Sequence, residues 1–161
     1  MKTLNQMPDN ARIWIYTSIE RLNASQITDI QSKTVEFLDD WTSHDQKMHA
    51  AFEIRNDHFL VLAVDESMAQ ASGCGIDKSV HHFQHLGATM NIPFFNRTEV
   101  FYMSDNQVLS VPVHQFWAMR KAGIIQDETL LFDTTVRTLG ELNSKWLIPF
   151  SQSWHQEMWS R

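Results

Sequence analysis

The sequence has little cysteine, glycine or proline: one, five and four residues respectively among 161. A single cysteine, Cys74, excludes an internal disulfide framework, and a lone thiol is typical of reducing compartments. The low glycine and proline content excludes collagen-like and low-complexity chains. We therefore expect a globular protein of the cytoplasm.

Long hydrophobic runs and clusters of basic residues are also missing. The first ten residues have no apolar core of the kind that a signal peptide needs. The longest apolar run, residues 59–64, has the length of a strand, well short of the roughly 20 residues that span a bilayer. The formal net charge is −6, and no run of Lys and Arg offers a surface for phosphate backbones. These absences predict a protein that neither spans a membrane nor binds nucleic acid.

The chain does contain 43% hydrophobic residues, in patterns of both strand and helix periodicity. Apolar residues alternate in 11–17 and in 49–55, and they recur at helical spacing from Ile27 to Trp41. The order of strand and helix patterns along the chain predicts an α+β fold. We expect a ferredoxin-like βαββαβ core with an extra strand, followed by a C-terminal αβα annex.

Length and local signals predict the boundaries of this fold. We expect a single domain over residues 1–161, with the core at about 11–111 and the annex at about 112–161. Asn56-Asp57 and Asp105-Asn106 can supply the left-handed backbone of two hairpin turns. Gly87 is the predicted end of the second helix.

The most unusual segment is Ser72–Ser79, which joins a buried strand to the start of a helix. Unpaired backbone N–H groups at such a start favour an anion, and the glycines would let a ligand approach closely. A Walker loop needs glycine directly before its lysine, and Asp77 stands there, so we predict no nucleotide cofactor. We predict instead a non-catalytic domain that binds a small ligand or a protein. The predicted ligand residues are Asp65, Glu66, Ser72, Gly73, Cys74, Asp77, Lys78 and Ser79.

A thiol-dependent enzyme or redox sensor centred on Cys74 is the alternative. A cysteine near a helix N-terminus can act as a nucleophile if a base lies within hydrogen-bond reach. His81 would lie about 10 Å away along one helix, so the base would come from elsewhere, from His49, His58 or His155. Against this, a lone cysteine is most often a small buried residue.

His81 and His85 have the i, i+4 spacing that lets two imidazoles share a metal ion. Two ligands do not complete a zinc site, and the apolar stripe of the helix places this pair on the solvent side. A solvated helix face is therefore the favoured interpretation. The tail carries Trp146, Trp154 and Trp159, which we expect to pack on their own domain, with a homodimer contact as the alternative.

Five segments taken together carry a resemblance to known sequences: residues 11–16, Phe52-Glu53-Ile54-Arg55, Val64-Asp65-Glu66, residues 72–77 and Ser153-Trp154-His155. On these segments the whole chain resembles a family of small uncharacterised bacterial proteins of about 160 residues, some of which carry the label ABC transporter ATPase. The resemblance implies no activity, and the label does not fit this sequence, which has no Walker lysine loop, Walker B carboxylate or signature motif.

Overall fold

A computed structural model describes residues 2–160, and it confirms the predicted α+β class. Two short 3-10 turns, Leu4–Gln6 and Phe150–Gln152, accompany the helices and strands. In chain order these are β1 (Arg12–Thr17), α1 (Ala24–Asp40), β2 (Thr42–Ser43), β3 (Gln46–Lys47), β4 (His49–Arg55), β5 (Phe59–Asp65), α2 (Gly73–Met90), β6 (Glu99–Ser104), β7 (Gln107–Pro112), α3 (Val113–Lys121), β8 (Leu130–Phe132), α4 (Leu139–Lys145), β9 (Leu147–Pro149) and α5 (Trp154–Trp159).

The chain divides into two compact units. The described part of unit 1 comprises residues 2–96 and Arg137–Glu141, and that of unit 2 comprises residues 97–136 and 142–160. The division therefore falls after Asn96, earlier than the predicted start of the annex. The single domain itself stays a prediction. Among the described residues, no helix has the length and apolar character needed to cross a membrane.

Unit 1 is built on an antiparallel sheet in the order β1-β5-β4. The central strand β5 is almost entirely apolar, and each residue from Phe59 to Val64 is 0% exposed. Such a continuous apolar run is typical of a strand that is buried on both faces. On one face, a single core joins this sheet to α1 and α2; its members include Tyr16, Leu60, Leu62, Val64, Ile30, Leu38 and Phe83.

The first three strands pair in the order expected of a ferredoxin-like core, because the first pairs with the third and the third with the second. The ferredoxin-like core itself stays a prediction. The predicted fourth strand, β6, instead pairs with β7 and β8 in unit 2. The outer edge of β1 already has other partners. The Thr17 N–H donates to the Phe94 C=O at 3.2 Å, and the Ile13 N–H donates to the Arg137 C=O at 3.0 Å. A fourth strand would need these backbone groups of β1.

Three hairpins use pairs of non-glycine residues with left-handed backbone. Asn56-Asp57 and Asp105-Asn106 have φ values of 49° to 59°, which confirms both predicted turns. His44-Asp45, between β2 and β3, has φ values of 49° and 62°. Asn and Asp tolerate this conformation better than other side chains because their short polar groups bond locally.

Unit 2 contains a second sheet in the order β7-β6-β8-β9. Helix α3 and strand β8 lie in the region of the predicted αβα annex and agree with its first helix and its strand. A separate core holds this unit together, and its buried members are Val100, Tyr102, Phe116, Ile125, Leu131 and Phe150.

Helix α2 ends at Asn91, which has left-handed backbone with φ of 55°, so the predicted stop at Gly87 is wrong. Gly87 lies inside the helix, and the chain folds back over it. The Ile92 N–H donates to the Gly87 C=O at 2.9 Å, and a Cβ at Gly87 would lie 2.6 Å from the Ile92 oxygen. Glycine is needed here for a close backbone approach.

We predict that Gly87→Ala lowers the free energy of unfolding by about 1–3 kcal/mol, because its methyl group overlaps backbone that cannot move freely. Gly73→Ala is the matched control, since a Cβ there meets nothing within 4 Å in the same helix. Urea denaturation of both variants measures the difference. Equal stability of the two variants would contradict the prediction, because it would show that the backbone around Ile92 moves away from the added methyl group at little cost in free energy.

Candidate functional site

The predicted ligand loop is the N-terminal cap and the first two turns of α2. Ser72 is the N-cap residue, and its Oγ accepts a hydrogen bond from the Gly75 N–H at 3.3 Å. Ser43 Oγ lies 2.5 Å from Ser72 Oγ and also accepts from the Ser72 N–H at 3.3 Å. Ser72 therefore closes the helix end and binds it to β2.

The two glycines of the loop have different surroundings. Gly75 is buried, and a Cβ there would lie 3.0 Å from both Cβ and Oγ of Ser43. Its C=O accepts a hydrogen bond from Trp41 Nε1 at 2.9 Å. Gly73 is exposed, with open space where a Cβ would stand. The lack of a side chain at Gly75 thus lets α2 pack closely on β2, whereas Gly73 faces open space.

Asp65 and Glu66 are bound to the segment that joins β5 to α2. Hydrogen bonds from the hydroxyl and backbone of Ser67 hold the pKa of the Asp65 carboxyl below its usual value. Glu66 Oε2 accepts from the Ala71 N–H at 3.0 Å, and its Oε1 lies 3.8 Å from Arg12. Both carboxylates therefore have partners on the chain itself.

The last residues of the loop differ in exposure. Lys78 Nζ donates to the Thr42 C=O at 3.2 Å, and its side chain remains exposed. Ser79 is buried, and its Oγ donates to the Ile76 C=O at 2.7 Å. The exposed members of the predicted ligand set are Gly73, Cys74, Asp77 and Lys78.

Cys74 is exposed, so the expectation of a small buried cysteine is wrong. Within residues 2–160 its thiol has no hydrogen-bond or ion-pair partner, so no imidazole is joined to it there. His58 is 5% exposed, and its Nδ1 lies 2.8 Å from the backbone oxygen of Ser18. That ring is therefore hydrogen-bonded to Ser18. A nucleophile–base pair is not assembled at Cys74.

His81 and His85 are both exposed on α2. Among the described residues, no group of three or more His, Cys, Asp or Glu side chains could hold a metal ion. The pair therefore has no third ligand in this part of the chain. His81 instead faces a groove between α2 and α1.

This groove has a volume of about 590 Å³ and opens widely to solvent. Two hydrogen bonds join the elements on its two sides. Trp41 Nε1 donates to the Gly75 C=O at 2.9 Å, and Thr34 Oγ1 lies 3.0 Å from His82 Nε2. The residues that line the groove are Lys33, Glu36, Phe37, Asp40, Trp41, Lys78, His81 and His82.

The floor of the groove is aromatic. The rings of Phe37 and His82 stack with centroids 4.5 Å apart and planes 10° apart, and Phe37 also contacts Trp41 at 5.4 Å. Burial, helped by the nearby His85, lowers the pKa of His82 to about 4. His82 is therefore neutral at pH 7, and its ring continues the apolar surface of Phe37.

Charged side chains of both signs form the rim of the groove. Lys33 and Lys78 are cationic, Glu36 and Asp40 are anionic, and all four are exposed. None of them takes part in an ion pair within residues 2–160. The sequence interpretation found Lys78 and missed the rest. Helical spacing had assigned Phe37 to the core-facing stripe of α1.

No family model, curated protein or solved structure matches the chain. The resemblance to small bacterial proteins labelled ABC transporter ATPase therefore stays a prediction. A functional proposal for this chain therefore rests on the geometry of the groove in unit 1.

We predict that Cys74 is alkylated by iodoacetamide in the native protein as fast as after unfolding in urea, because it is exposed and has no partner among the described residues. His81→Ala should leave the native rate unchanged, since no hydrogen bond within residues 2–160 joins that ring to the thiol. Mass spectrometry of quenched samples measures the rates. Slow native labelling, or a rate that depends on His81, would contradict this.

Acidification should destabilise the protein through the half-buried imidazole of His82 and the buried imidazole of His155. Burial lowers the pKa of His82, and that of His155 in unit 2, to about 4 from an ordinary value near 6.5. Between about pH 6.5 and pH 4 the unfolded chain binds protons that the folded chain does not. The free energy of unfolding therefore falls as the pH falls through this window.

His82→Gln keeps a hydrogen-bonding group beside Thr34 and cannot be protonated in this range. We expect the variant to lose less stability than the wild type between pH 7 and about pH 4.5, measured by urea denaturation. Equal losses would mean that His82 titrates alike in the folded and unfolded chains.

Proposed function

We propose that this chain is a binding protein without catalytic chemistry, and that its ligand is a segment of another protein held in the groove between α1 and α2. The observation that carries the proposal is the aromatic floor of Phe37, Trp41 and His82 beneath a rim of charges that are not ion-paired in the described chain. Gly73 and Cys74 in the first turn of α2 are exposed, and Cys74 precedes the groove residue Lys78 by one helical turn.

The shape of the groove supports a protein segment over a small molecule. Small-molecule sites enclose most of their ligand, whereas this groove is open along its outer side. Its length follows the facing surfaces of two helices, which suits a helix or an extended peptide laid between them.

The charges indicate what such a segment carries. A planar or branched apolar side chain would cover Phe37 and the neutral His82 ring. Lys33, Glu36 and Asp40 lie along α1 and Lys78 lies on α2, so a bound segment would meet charges of both signs with acidic groups for the lysines and basic groups for the carboxylates. Opposite charges at a rim contribute mainly to specificity and association rate.

The thiol-dependent alternative has less support, because no base in the described part of the chain is hydrogen-bonded to Cys74. An exposed unpaired cysteine supports a reducing location, and we propose the cytoplasm on that ground. The family resemblance would make the protein bacterial, and the absence of Walker motifs in the sequence argues against an ABC ATPase.

A random twelve-residue peptide library displayed on phage tests the proposal directly. We expect selection on the immobilised wild-type protein to enrich peptides with one large apolar residue flanked by charges of both signs. Synthetic copies should bind with Kd values of roughly micromolar size. Phe37→Ala should weaken them about tenfold or more, because it removes half of the aromatic stack.

Lys78→Glu should weaken peptides that carry an acidic flank, and Glu128→Lys in unit 2 is the charge-change control. Circular dichroism checks that each variant is folded. Peptides that bind Phe37→Ala as well as wild type, or a selection that enriches nothing, would refute the groove as the ligand surface.

A further inference from the structure

One edge of the unit 1 sheet is without a strand partner among the described strands. In residues 2–160, β4 pairs with β5 on one side and with no strand on the other. By contrast, the outer edge of β1 is bonded by the Phe94 and Arg137 carbonyl groups. A seven-residue edge of this kind presents a row of backbone donors and acceptors to another chain.

The hairpin shows which backbone groups point outward from β4. The Arg55 C=O accepts a hydrogen bond from the His58 N–H at 3.1 Å, so it points into the hairpin. Backbone groups of an antiparallel strand alternate between its two sides. Those of Ala51 and Glu53 therefore face β5, and those of Ala50, Phe52 and Ile54 face outward.

From this edge we propose that β4 pairs with β4 of a second copy of the chain, antiparallel about a two-fold axis at Phe52, which joins two three-stranded sheets into one. The axis places Phe52 opposite its own counterpart, and Ala50 of each copy opposite Ile54 of the other. Each of these three pairs exchanges two backbone hydrogen bonds, so every outward group is used.

Side chains along β4 suit this register. A small residue meets a large one where Ala50 faces Ile54, and both are only partly buried within unit 1. On the opposite face, Ala51 stands across from Glu53, and His49 stands across from Arg55. No two carboxylates stand directly across from each other, which matters for a chain with a net charge of −6.

Charge composition also favours a second copy as the occupant. The edge carries one acid and one base, Glu53 and Arg55, which form an ion pair with each other. The interface formed by two such strands is therefore close to neutral in charge. The strand contains no proline or lysine, the residues that commonly protect exposed edges from pairing.

Ala50→Pro removes one outward N–H and leaves the hydrogen bonds to β5 in place. We expect wild-type protein to show a concentration-dependent dimer in sedimentation equilibrium between roughly 1 µM and 1 mM, and Ala50→Pro to weaken it at least tenfold. Ala50→Val, which keeps the N–H, is the matched control and should still dimerise.

Disulfide trapping tests the register without a proline. In a Cys74→Ser background, His49→Cys and Arg55→Cys chains should form a mixed disulfide when combined, because these positions stand opposite each other across the axis. Either chain alone should not, since identical positions would lie about 20 Å apart.

A monomer at every concentration, without a mixed disulfide, would overturn the proposal. A dimer that survives Ala50→Pro but is lost on truncation after Phe150 would also overturn it, and would assign the contact to the tryptophan-rich tail. None of these outcomes depends on peptide binding in the groove between α1 and α2.

Discussion

The hydrogen bond from Trp41 Nε1 to the Gly75 C=O is the contact on which the groove of unit 1 depends. Trp41 directly follows α1, and Gly75 lies in the first turn of α2, so the bond joins the end of one helix to the start of the next. Thr34 and His82 join the same helices further along. Two fixed points hold Phe37 and His82 stacked before any ligand arrives, which reduces the ordering that binding would require.

Local signals in the sequence predicted much of the fold. Helical spacing from Ile27 to Trp41 predicted α1, which begins with a capping box of Asn23 and Gln26, and Asn56-Asp57 adopts the left-handed turn expected of its side chains. The sheet to which β6 belongs could not be predicted in the same way. The edge of β1 that β6 was expected to pair with is bonded by Arg137, which lies far away in the sequence in a segment without strand periodicity. No local pattern predicts such a long-range partner.

The site shows the limits of sequence interpretation in a different way. Serine, glycine and carboxylate at a helix start are equally suited to bind an anion and to cap the helix, and Ser72 and Glu66 do the latter. Helical periodicity placed Phe37 on the apolar side of α1 but could not show that it remains half-buried there. Whether a neighbouring helix covers a side chain is decided by tertiary packing alone.

The left-handed turns at His44-Asp45, Asn56-Asp57 and Asp105-Asn106 have a kinetic consequence. Each hairpin closes a short loop, so its strands can meet at little cost in chain entropy. The pairing of β1 with β5 must instead wait until α1 and the β4–β5 hairpin have brought distant segments together. We therefore expect the β1–β5 pairing to form after the hairpins when unit 1 folds.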